Sequence, residues 1–136
     1  MINALSNAIS GLFASQKRLD ISARNIANAG STGTPGDVAG AKAYNAQTVV
    51  QTPLVDQDGQ VIGTRAASTD KTPPTQTVYN PSSPAADDSG YINIPNVDFV
   101  EEALNISLAG LSFEANAQII KAVENLSLAT INLTDQ

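Results

Sequence analysis

Cysteine, histidine and tryptophan are absent from this 136-residue chain, and aromatic residues make up only 4% of it. The missing Cys and His remove thiolate nucleophiles, imidazole bases and the usual soft-metal ligands together. An enzyme would have to work with Asp, Glu, Lys, Ser or Tyr, and no arrangement of these forms a site, so no catalysis, cofactor or metal is expected. Without cysteine there is no disulfide framework, and composition fits a reducing or an oxidising compartment equally. Basic residues are few, 7 against 13 acidic for a net charge of −6, and their scatter argues against nucleic acid as a partner. Long apolar runs are also lacking. Ser, Asn, Gln or Glu interrupts every candidate in the C-terminal third, so no direct membrane insertion is expected. Met1–Gln16 has no Lys or Arg ahead of its apolar residues and does not read as a cleaved secretory signal.

What remains divides into three segments: 1–30, 31–97 and 98–136. In the first, Ile2, Leu5, Ile9, Leu12, Leu19 and Ile26 recur at steps that predict a heptad seam on a helix over about residues 3–28. Gln16 interrupts the seam, and Gly30 with the glycines and proline after it ends the helix. All seven prolines and seven of the nine glycines fall between Gly30 and Pro95, which excludes a long helix there. Tyr44–Thr52 and Gln60–Ala66 are rich in strand formers and flank the turn residues Asp56–Gly59, predicting a β-hairpin. Pro73, Pro74, Pro81 and Pro84 then predict an extended proline-rich strap.

Asp98, with Glu101 three residues on, predicts the start of a second helix of about 35 residues. One apolar stripe runs through Leu104, Leu108, Leu111, Ile119 and Leu126, and another through Phe113, Ile120 and Ile131. At about 100° per residue, Phe113 lies roughly 200° from Leu111, so the helix is apolar on opposite faces. One face can pair with the first helix as a coiled coil, and the other needs a neighbouring subunit. The expected fold is therefore mainly α: two long terminal helices paired as a coiled coil, with a small hairpin and the strap between them. The isolated monomer should be partly unfolded at its termini and gain helix on assembly.

Sharper readings of single residues are weak. Asp56 and Asp58 before Gly59 resemble the start of a calcium loop, but no Glu closes twelve residues, and a β-turn is the better reading. Asp87 with Asp88 and Glu101 with Glu102 read as turn and cap residues, not as a catalytic pair.

The stretch Ser22–Ala29, with Asn25 and Asn28, resembles the Asn-x-x-Asn signature that ends the first helix of flagellar rod and hook axial proteins. The run Val78–Val97, with Pro81, Pro84, Gly90, Tyr91, Pro95, Asn96 and Val97, resembles the short proximal-rod members of that family. The resemblance implies a structural subunit that assembles with its own copies and other rod proteins in a helical lattice around an export channel. It also implies passage through the flagellar type III export apparatus into the periplasm without a cleaved signal, and a part in transmitting torque. Another short rod protein, a rod-like paralogue, or a helical export chaperone or adaptor are the competing readings.

Overall fold

The computed structural model describes residues 2–37 and 42–134, without the side chains of residues 2, 37 and 132–134. Helix α1 spans Ile2–Asn28, uninterrupted by proline. It closes in a turn where the Ala29 and Ser31 amides donate to the Ile26 and Asn28 carbonyls, satisfying groups that a helix end leaves open. Helix α2 spans Phe99–Thr134. Asp98 caps it, its Oδ1 accepting from the amides of Val100 at 2.8 Å and Glu101 at 3.3 Å. Glu101 and Glu102 in the first turn suit the positive end of the helix dipole.

Among the described residues, four strands lie between the helices. Strands β1 (Gln47–Val55) and β2 (Val61–Asp70) form one antiparallel pair, and β3 (Thr75–Tyr79) and β4 (Tyr91–Pro95) form another. The chain is therefore two helices with two small antiparallel sheets, not a mainly α fold with a single hairpin. The strap expected from the proline count is a second hairpin. Its prolines stand at Pro74 before β3, at Pro81 and Pro84 in the connection, and at Pro95 ending β4. At such edges the missing N–H costs no ladder bond, so the prolines frame the strands without excluding them.

Both hairpins turn on the same local device. Asp56 Oδ1 accepts from the amides of Asp58 and Gln60, and Asp87 Oδ1 accepts from those of Ser89 and Tyr91, all within 2.8–3.0 Å. In each, the glycine three residues after the aspartate has positive φ, 77° at Gly59 and 83° at Gly90. Gly90 is held further, because a Cβ there would meet Tyr79 Cε2 at 2.8 Å.

The helices run antiparallel: Asn25 meets Glu102 while Gly11 meets Asn116, the same distance apart along each. About nine residues at the end of α2 therefore run past the start of α1. The coiled coil of large apolar seams is not formed. Besides Ala14 and Ile21, the α1 residues turned inward are Ala8, Gly11, Ser15, Arg18, Ser22 and Asn25, small or polar residues at steps of three and four. They lie against Glu102, Asn105, Ala109, Ser112 and Asn116 of α2. The hairpin β1–β2 also packs on α1, where the Thr64 amide donates to Ser10 Oγ at 3.1 Å over Gly63. A helix hemmed in by a sheet and a second helix needs close approach on two sides, and small residues permit it. Among the described residues, the buried apolar side chains are Ala8, Ala14, Ile21, Ala43, Ala46, Ala85, Ile92 and Ala109, so the core is mostly alanine.

Candidate functional site

Two features distinguish this molecule: a polar junction that ties the helices to the sheets, and the apolar faces left outside. The junction centres on Asn25, which is fully buried. Its Nδ2 donates to the Gln47 carbonyl at 2.7 Å and to Glu102 Oε1 at 2.6 Å. Its Oδ1 accepts from the Gln47 amide at 3.0 Å and the Tyr44 hydroxyl at 3.2 Å. All four hydrogen-bonding positions of the amide are filled, which fixes the end of α1, the start of β1 and the start of α2 relative to one another. Burial pushes the Tyr44 hydroxyl above its ordinary value of 10.0; nearby Arg24 opposes this, and Asp70, Glu102 and Asp20 add to it. Lys71 Nζ donates to Glu101 Oε2 at 2.6 Å on the rim.

The other motif residues divide between structure and surface. Asn28 is exposed and donates back to the Arg24 carbonyl at 2.9 Å. Asn96 donates through its amide N–H to the Pro74 carbonyl and through Nδ2 to the Pro73 carbonyl, both at 3.0 Å, holding the second sheet to the entry of α2. Pro95 is buried, Val97 half-buried, and Pro81 and Pro84 are exposed. The Tyr91 ring meets that of Tyr79 edge to face at 5.3 Å.

The expected interface residues lie mainly outside. On α2, Leu104, Leu108, Leu111, Phe113, Ile119, Leu126 and Ile131 are 42–62% exposed, and Ile120 is half-buried. On α1, Ile9 is exposed, while Leu5, Leu12, Leu19 and Ile26 are half-buried. The interface expectation at Ile2 concerns a side chain outside the described residues. Sequence reading passed over Glu102, Tyr44 and Gln47 as partners of Asn25. It also passed over the inner seam of small residues, whose spacing was visible but which weigh little beside leucines. The cleft beside the junction, lined by Arg18, Gln47, Lys71 and Glu102 among others, is only about 120 Å³, well below the size of a small-molecule pocket. Among the described residues, no three His, Cys, Asp or Glu side chains gather as a metal site requires, and no helix is long and apolar enough to cross a membrane.

Residues 88–133, from the Asp87 turn through nearly all of α2, match the family described as flagellar basal body rod FlgEFG protein, C-terminal. The FlgC flagellar basal-body rod protein of Salmonella typhimurium is 38% identical over 136 residues, covering 98% of this chain and 97% of its own length. The chain belongs to the FlgC family. FlgC of Agrobacterium fabrum is 35% identical over 91% of this chain and 88% of its own, and FlgC of Borreliella burgdorferi is 28% identical over 93% and 92%. As a FlgC-family chain it is a structural rod subunit of the flagellar basal body.

Proposed function

We propose that the subunit stands in the proximal rod, with α1 and α2 as an inner layer around the export channel and residues 31–97 outside it. Neighbouring copies and other rod proteins cover the faces of α2 that its own chain leaves in water. The observation that carries this reading is the exposure of Leu104, Leu108, Leu111, Ile119 and Leu126 along one line of a helix about 54 Å long. A fully buried Leu or Ile contributes roughly 1.5–3 kcal/mol. These side chains are already about half covered, so covering the line would add roughly half of that for each, on the order of 4–8 kcal/mol in all against about 5–15 kcal/mol for an ordinary domain. Helices locked by many such contacts resist shear, which suits a shaft that transmits torque. The subunit would reach the periplasm through the flagellar type III export apparatus, its N-terminus kept.

Cryo-electron microscopy of isolated basal bodies tests the placement. Density for both helices and both hairpins in the proximal rod is expected; a motile strain whose rods lack the chain would overturn the reading. Mass spectrometry of the same basal bodies should find the N-terminal peptide intact.

A further inference from the structure

The outer edge of β3 is open. Gly33 and Asn93 exchange backbone hydrogen bonds at 2.9 and 2.8 Å, so the N–H and C=O of Asn93 point away from β3. Tyr91 likewise turns its amide to Asp87 Oδ1 and its carbonyl to the Asp87 amide. Their register partners, Thr77 and Tyr79, therefore present their own N–H and C=O groups on the far edge of the hairpin. Among the described residues, no backbone hydrogen bond closes that edge at Thr77 or Tyr79. Residues 76–80 are all exposed, and no lysine, proline or bulge within β3 blunts the strand. Tyr79 is 63% exposed, its ring lying over Gly90 and meeting the Tyr91 ring edge to face.

We propose that this edge takes up an extended, basic segment of another protein as a third strand, with a Lys or Arg of that segment over the exposed face of Tyr79. The outward N–H and C=O of Thr77 and of Tyr79 supply the pairing. Neighbouring strands bring side chains directly opposite within about 5.5 Å, which sets a long cationic side chain beside the Tyr79 ring. The surrounding charge fixes the sign of the occupant. No basic residue lies between Lys71 and Lys121, while Asp87 and Asp88 at the turn and Asp98 beyond the other end of the hairpin form no ion pair among the described residues. The hairpin therefore stands in a field of one sign, which draws a cationic strand and repels an acidic one. This chain's own basic residues do not supply such a strand. Lys17, Arg18, Arg24 and Lys121 are helical, Arg65 is paired with Thr52 in the first hairpin, Lys71 is held by Glu101, and Lys42 adjoins buried Ala43. Neither helix contributes to this edge, so its use is independent of where the helices stand in the rod.

The test follows backbone amides by NMR in the isotope-labelled full chain, kept dilute enough to stay unassociated. It is titrated with a hexapeptide alternating arginine and valine, and with the glutamate–valine counterpart. At saturation the arginine peptide should slow hydrogen exchange at Thr77 and Tyr79 by at least about tenfold, and it should bind at least about tenfold more tightly than the glutamate peptide. Thr77→Pro removes only an outward N–H and should abolish this binding with the circular dichroism spectrum unchanged. Asp88→Lys leaves the edge intact and should weaken the arginine peptide at least about threefold, which decides the matter if the proline variant does not fold. No protection at Thr77 and Tyr79, equal binding of the two peptides, full binding by a folded Thr77→Pro, or unchanged affinity in Asp88→Lys would each overturn the edge contact. Protection of Thr77 and Tyr79 that appears without peptide as the chain is concentrated would also overturn it, with a second copy as the occupant.

Discussion

Asn25 contributes to stability out of proportion to its size, because four hydrogen bonds converge on one buried amide. Asn25→Ala removes them and leaves the buried Glu102 carboxylate without that partner. A loss of roughly 3 kcal/mol is expected in urea unfolding followed by circular dichroism. Glu102→Gln keeps an oxygen at the same place and should cost less. Tyr44 gives this junction a pH dependence. Its folded pKa is raised, chiefly by burial, so the unfolded chain loses the proton first as pH passes 10.0. Its contribution is therefore whole below that pH and is lost as pH rises through the folded value. Tyr44→Phe should cost about 1 kcal/mol or less at pH 7 and flatten the loss of stability measured above pH 10. The motif Asn25 and Asn28 was legible in the sequence, but the difference between them was not. One sits on the inner seam and the other on the outside, and only the packing of α1 decides which.

At the scale of elements, glycines separate what is packed from what is open. Gly11→Ala puts a Cβ 2.7 Å from the end of the Asn116 side chain, which must swing aside, so the helix-propensity gain of about 1 kcal/mol should be largely offset. Gly110→Ala meets nothing within 4 Å in the interior of α2 and should stabilise the isolated chain by up to about 1 kcal/mol. Thermal unfolding of both variants beside the parent checks the pair. Both helices could be read in advance within a residue or so at their starts, because the Asp98 cap and the apolar periodicity act locally. The first hairpin was legible too, through Asp56 and Gly59. The second carried the same signal at Asp87 and Gly90, but the prolines around it pointed to a strap. Proline count records how many N–H groups are missing, whereas a sheet depends on where they are missing.

The whole molecule sets a small alanine-rich core against a large apolar exterior. Replacements on that exterior should separate folding from assembly. Leu108→Glu should change the unfolding free energy by no more than about 0.5 kcal/mol, yet abolish the concentration-dependent gain in helix expected of the parent by circular dichroism. Loss of both together would mean that the face packs within the chain. The large apolar positions were all visible in the sequence, and most of those on α2 stand exposed. The heptad reading misassigned the inner seam, because size and hydrophobicity mark the residues that bury most area. A helix pressed between a sheet and a partner helix selects the residues that take up least room.

The Asn25–Glu102 bond also spans 77 positions of the chain. Each hairpin closes on contacts a few residues apart around its aspartate and can form as soon as its own strands exist. The junction closes only when residue 102 is available to residue 25, and such long-range closure is entropically slow. During synthesis, α1 therefore waits with its polar seam in water until α2 has been made. A chain shortened before Glu102 would keep the Ser10–Thr64 and Asn25–Gln47 bonds between α1 and the first hairpin but lose the bond that ties this junction to α2.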